Sequence, residues 1–434
     1  MTLVMDRAVA PPRSRRATTT RPKPRSKPGL GDIAQRVLLN PTLLRLLRKH
    51  RPVFRLPLLG RPYLITRYED GRDVLSNDAV FPTPFGPKMK RTTRAPDQAD
   101  GGPNFMLGMS DGAVYRRDRA VLTGLLRRED LQERVAPLIR PEAAAILHKG
   151  RNPSGEGRID VVYDLFRRLP CRVVEDYFGV RLIDPPGFTD LIMDVSRYIF
   201  ADFRDSPATE RNALAAAAQV RAVIDAAFRK PPVNDTLIDR AVALNATGVP
   251  GSDFNTLIAM MMGAIVGYIP NLTISATNIL LVLLKRSREL ALARRAALSG
   301  DDDLFARCLD EALRFDPMLP IIRRTVSSDQ VLAEGSGRPR TVRAGGQVWT
   351  ILNSVMMDER VLQNPREFRL DRPAHHNLQF GYGLHNCLGR ALTEVQLPLT
   401  LKAVLSEPRL RLTPGPLGVL EKDGPYPRCL SIDY

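Results

Sequence analysis

The stretch FGYGLHNCLG, residues 380–389, sets one of the chain's four cysteines in a bend with three glycines and a histidine. Glycine tolerates left-handed backbone, so Gly381 and Gly383 permit a tight turn in which the main chain approaches a neighbour closely. Backbone N–H groups in such a turn can point at a sulfur and stabilise it as thiolate. The run RALTEVQLPLTLKAVL begins at Arg390 and reads as a helix. A helix N-terminus beside Cys387 lowers the thiol pKa further. Gly389 has no side chain and leaves room for a flat ring system against the backbone. Taken alone, Cys387 fits a small buried hydrophobe equally well, since free cysteines are commonly buried.

The other cysteines, Cys171, Cys308 and Cys429, are far apart and form no CxxC spacing. That argues against a disulfide framework or a zinc site and for a reducing, cytoplasmic compartment. The chain has 434 residues, a formal net charge of +17 and 44% hydrophobic content, enough for a substantial core. Part of the charge is local: residues 1–28 contain RPKPRSKP and several further arginines against one acid, Asp6. With interleaved prolines and nothing to bury, they read as a disordered, solvated tail. Arg15-Arg16 is not followed by an apolar segment, which argues against an export signal. Elsewhere there is no nucleic-acid-binding motif. Residues 257–284 carry no charge and are long enough to span a bilayer. Pro270, Asn271, Thr273, Ser275, Thr277 and Asn278 occupy the second half, so a helix through the middle of a soluble protein is expected, not a transmembrane segment.

Along the chain, VFRLPLLGRPYLITRY (53–68) reads as two short strands about a turn. Residues 80–110, rich in Pro and Gly, read as a long loop, and such loops are often functional. From 113 to about 230 the apolar pattern is helical, and the uncharged helix and two shorter ones follow. Around 319–352 the period becomes strand-like in IIRRTV, RTVRAG and QVWTIL. No linker divides 29–434. The expectation is one large domain, mainly α with a minor β part.

Upstream of Cys387, Glu311 and Arg314 in EALR stand three apart and share a helix face. Such a pair alone is usually an exposed ion pair of little worth. Here it precedes NPREFRLDRP, and then the cysteine bend, in one order. Together these segments resemble the cytochrome P450 family. FGYGLHNCLG is similar to its haem-binding signature at Phe380, Gly381, Gly383, His385, Cys387 and Gly389, and the likeness extends over about 50–434. The resemblance implies a P450 fold and b-type haem with Cys387 as the iron ligand. Glu311, Arg314 and Arg372 would form a structural network bracing the proximal loop. Haem carries two propionates, and buried anions need positive partners. The resemblance offers Arg119, Arg324 and His385, with Arg323 the alternative to Arg324. Where relatives have a histidine four residues before Arg119, this chain has Tyr115. An apolar substrate would be lined by parts of 80–110, 185–205, 257–275 and 318–323.

The central helix departs from the family pattern. Monooxygenase members usually place an acid and a threonine there as a proton relay. Alignment on Gly267 puts Ile269 and Pro270 in those slots; counting back from Lys285 puts Pro270 and Asn271 there. Either way carboxylate and hydroxyl are missing, and Thr273 would substitute only in a distorted helix, which an interior proline can cause. Gln396 stands where the family often has Glu. The resemblance thus implies a monooxygenase fed by a ferredoxin-type partner docking near Arg116, Arg117, Arg127, Arg128 and Arg390. A rival reading is a peroxide-using or fatty-hydroperoxide-rearranging enzyme. It rests on a loose similarity to the haem domain of fungal fatty-acid diol synthases, in which Asn271 would assist. A non-catalytic haem-binding protein is the reading outside catalysis. The chain is expected to act as a monomer.

Overall fold

A computed structural model describes residues 38–57, 60–232 and 234–434. The proposed tail, residues 1–28, lies outside the described residues. The fold is organised around the helix Phe254–Leu284. Asp253 caps it, accepting from the Thr256 N–H at 2.9 Å. Its apolar surface is consumed inside the protein, 78% of its most apolar window being buried. Each fully buried Leu or Ile there is worth roughly 1.5–3 kcal/mol relative to exposure. The helices Pro185–Ser196, Pro207–Phe228, Asp302–Phe315 and Arg390–Leu405 pack around it. Helix runs on through Pro270.

The β part is minor. The principal sheet has four strands in the order Val53–Arg55, Tyr63–Ile65, Gln347–Ile351, Ile321–Thr325. The first two pair antiparallel, the second and third parallel, the third and fourth antiparallel. Arg323 stands opposite Trp349 and Arg324 opposite Val348, so the two arginines leave the strand on opposite faces. Mainly helical structure with small sheets is thus what the chain adopts.

Residues 80–110 are not one loop. Gly86–Thr92 is a helix and Met106–Gly108 a 3₁₀ turn. Pro87 marked the segment as irregular, yet proline is well tolerated in a helix's first turn, and Met89 and Thr92 are buried beneath it. The helix Leu237–Ala246, closed by a capping box between Thr236 and Asp239, is a further element that apolar periodicity did not reveal.

Candidate active site

The bend 380–389 is built as a cysteine cradle. Gly381 and Gly383 have φ of +73° and +70°. At Gly383 a Cβ would lie 2.8 Å from the Ser76 Cα and 2.9 Å from the Leu75 carbonyl oxygen. The Cys387 N–H donates to the Phe380 carbonyl at 2.9 Å, closing the bend. Gly389 caps the helix Arg390–Leu405. The Cys387 sulfur opens onto a cavity of about 460 Å³. Burial pushes its thiol pKa up, while the Gly389 and Arg390 N–H groups and the charge of Arg390 pull it down. At Gly389 a Cβ would meet only the Cys387 sulfur, at 3.8 Å, so space is open above this backbone.

The bend is braced from behind. Arg314, 4% exposed, donates Nε and Nη2 to the two oxygens of Glu311, each at 2.8 Å. Glu311 Oε1 also accepts from Arg372 Nε at 3.0 Å and from the Arg369 N–H at 3.0 Å. Arg372 and Arg314 use their remaining donors on carbonyls of Met356, Gln363, Asn364 and Glu367. The carboxylate is therefore the hub joining the helix Asp302–Phe315 to the segment leading to the bend.

A family model described as Cytochrome P450 matches residues 301–418. Cyclomarin C epoxidase CymV of Salinispora arenicola is 25% identical, over 90% of this chain and 95% of that protein. Mycinamicin IV hydroxylase/epoxidase of Micromonospora griseorubida is 27% identical, over 84% and 87%. The steroid C26-monooxygenase of Mycolicibacterium smegmatis is 27% identical, over 85% of each. The crystal structure of CalO2 superposes with a TM-score of 0.76 at 22% identity, covering 93% of this chain and 97% of that one. The chain is a cytochrome P450 of the bacterial type.

The cofactor of a P450 is haem, and the residues present fit it. At one edge of the cavity stand Tyr115, Arg119, Arg324 and His385. Arg324 is 3% exposed and forms no ion pair among the described residues. Burial lowers its pKa to about 10, with Asp78 opposing, and among the described residues its one acceptor is the Arg323 carbonyl at 3.0 Å. A buried guanidinium with donors to spare, opening into a cavity, suits an anion such as a propionate. Arg119 donates to the Tyr115 hydroxyl at 2.9 Å, and that hydroxyl donates to the Leu384 carbonyl at 2.6 Å. Tyr115 thus ties the helix Ala113–Leu125 to the bend. His385 Nε2 lies 3.0 Å from Asp78 Oδ1, a carboxylate with no sequence signal linking it to the bend. Burial and the neighbouring Arg324 hold the His385 pKa down, with Asp78 opposing.

Opposite the cysteine, the central helix presents Gly263, Gly267, Asn271 and Ser275, one residue every turn, with Ala264 and Tyr268 beside them. Asn271 faces the cavity. Pro270 and Thr273 are buried but do not line it. Thr273 Oγ1 instead donates to the carbonyls of Ile269 at 2.8 Å and Phe166 at 3.2 Å. Ile269 is likewise buried away from the cavity, so of the residues in the two registers only Asn271 reaches it. Ser275, Tyr268 and Gln379 were not singled out from sequence. Ser275 was legible, because the glycines at 263 and 267 extend at the same spacing to 271 and 275. Tyr268 lies against the site and donates to Gln396 Oε1, stacking on Phe178 with ring centroids 5.8 Å apart. Its burial raises the phenol pKa well above the ordinary value. Where family members often have Glu, Gln396 is thus an acceptor for a neutral phenol.

Proposed function

We propose that this P450 is a monooxygenase acting on an apolar organic substrate, inserting one atom of dioxygen and releasing the other as water. Two electrons come from a ferredoxin-type partner and two protons from water in the site. A haem held by Cys387 supplies dioxygen activation, its thiolate ligand favouring O–O cleavage. The observation that carries the reading is the chamber above the cysteine. Phe85, Met89, Phe105, Met106, Ile199 and Phe200 line it with apolar surface, while the helix wall brings only Asn271 and Ser275 as small polar groups.

Phe380, Gly381 and Gly389 shape the face against which the flat cofactor lies. Arg119, Arg324 and His385 would hold its propionates, with the Tyr115 hydroxyl, whose proton goes to the Leu384 carbonyl, positioning Arg119. The apolar walls exclude bulk water and orient the substrate. In this proposal Asn271 orders water by its amide and Ser275 passes protons one turn further along, in place of the missing acid-threonine pair. The named hydroxylases and epoxidases among its relatives favour dioxygen over a hydroperoxide as oxidant. The four free cysteines fit a cytoplasmic setting.

Ferrous protein treated with carbon monoxide should give the strongly red-shifted Soret band of thiolate ligation, and Cys387→Ser should abolish it. A wild-type spectrum typical of histidine-ligated haem would refute the assignment. Turnover of a fatty hydroperoxide without electrons, and none with reductase and dioxygen, would replace the monooxygenase by the rearranging enzyme.

A further inference from the structure

Arg323 and Arg324 are adjacent in the strand Ile321–Thr325, and both line the cavity. They serve different neighbourhoods. Arg324 lies with His385 and Asp78 at the haem edge. Arg323 turns the other way, to the end of the helical stretch Pro185–Ala201. Its Nη2 donates to the Ile199 carbonyl at 3.0 Å and to the Phe200 carbonyl at 3.4 Å. The guanidinium carbon stands 5.3 Å from the Phe85 ring centroid and 4.8 Å from that of Phe203.

This is an arginine in an apolar chamber with no carboxylate partner. It forms no ion pair among the described residues. Asp202 and Asp205 act on it through space, but neither forms an ion pair with it, and both are engaged elsewhere. Lys88 Nζ is 2.8 Å from Asp205 Oδ1 and 3.7 Å from Asp202 Oδ2. Asp202 also accepts from the backbone N–H groups of Arg204 and Ser206. Two carbonyls occupy Nη2, and Nε and Nη1 have no acceptor within the described protein. Arg323 is half-buried; aromatic faces and carbonyls compensate its charge only in part, and a charge withdrawn from water is costly unless paired. The surroundings are those of a site that receives its counterion with its ligand.

We propose that the substrate of this P450 is an apolar carboxylic acid whose carboxylate is held by Arg323, its hydrocarbon body reaching along Phe85, Phe105 and Phe200 toward the haem. The proposal rests on the monooxygenase reading above and specifies its substrate class. Arg323 contributes a charge-assisted hydrogen bond from its unused donors, and the acid's charge neutralises the chamber. Arg323 is then a binding residue that determines which end of the substrate stays away from the reacting centre.

The test compares acids with their own methyl esters. Decanoate, dodecanoate and tetradecanoate, each beside its ester and the matching alkyl sulfate, are titrated into haem-loaded enzyme. Binding is followed by calorimetry and by the Soret shift. Wild type should bind at least one acid about tenfold or more tighter than its ester, the scale expected of a charge-assisted hydrogen bond. Arg323→Gln should remove that preference, and Arg323→Lys should keep part of it. Equal affinity for acid and ester across the series, or an acid preference that survives in Arg323→Gln, would overturn the proposal. So would tighter binding of the sulfates than of the acids, which would mark a different anion. The acid-ester comparison in wild type needs no variant and stands even if Arg323→Gln fails to fold. Failure of the monooxygenase reading would show separately, in the carbon monoxide spectrum of wild type.

Discussion

Asn271 and Thr273 stand two residues apart on one helix and face different surroundings. The amide lines the cavity. The hydroxyl is spent on the Ile269 and Phe166 carbonyls, and Thr273 is fully buried. Thr273→Val should therefore leave product per electron consumed unchanged while lowering stability by about 1 kcal/mol, the usual net worth of a buried hydrogen bond. Asn271→Ala should lower product per electron several-fold, read as electrons delivered against product formed, with little change in the denaturation midpoint. Exchange of these two outcomes would return the relay to Thr273. The proximal side was legible at this scale because its pattern is local: the spacing of Phe380, the glycines, His385 and Cys387 is set by one turn. The distal side was legible only in part. Two registers were open in sequence, and they differ by one residue, about 100° around the helix. Which of these side chains meets the cavity depends on how the helix packs against the core, which sequence does not show. Asp78, more than 300 positions before His385, had no local signal at all.

At the scale of elements, the helix Asp302–Phe315 and the segment around Arg372 are joined through a single carboxylate. Glu311 and Arg314 are both about 95% buried. Removing one partner of a buried ion pair costs about 3–5 kcal/mol, because the other charge is left uncompensated. Glu311→Ala strands two arginines at once, so it should sharply reduce haem content as well as the urea midpoint. Purified Glu311→Ala with normal haem loading would show that the bend holds itself. Sequence revealed this network because Glu311 and Arg314 share a helical face and the later arginine follows in the family's order. It did not reveal Gly86–Thr92, whose Pro and Gly content resembles a loop. There, tertiary burial of Met89 outweighs local preference. Nor did it show that within 113–230, where the apolar pattern is helical, the pitch changes at Val161–Phe166 and Val174–Phe178.

At the scale of the whole molecule, the net charge of +17 overstates the free charge near the expected docking face. Arg116 pairs with Asp111, Arg117 with Asp118, Arg127 with Asp235 and Arg390 with Glu394. Arg128 forms no ion pair among the described residues. An acidic ferredoxin should consequently respond most to Arg128: Arg128→Glu should slow electron delivery several-fold at low salt in stopped-flow reduction, and Arg117→Glu should do less. Rising ionic strength should erase the difference. The chamber itself has unequal walls. A Cβ on Gly263 would overlap the Phe105 ring, so that ring rests directly on helix backbone. Phe105 belongs to a stretch with a single 3₁₀ turn between Thr93 and Gly112, whereas Gly263 belongs to a helix anchored on every side. The segment has less regular backbone hydrogen bonding than the helix, so it is the wall expected to yield first. A bulky ligand will be accommodated by lifting residues 100–112, whose amide exchange should quicken with ligand size. The helix will keep the same position for large and small substrates, acting as the fixed jaw of a vice whose other jaw slides.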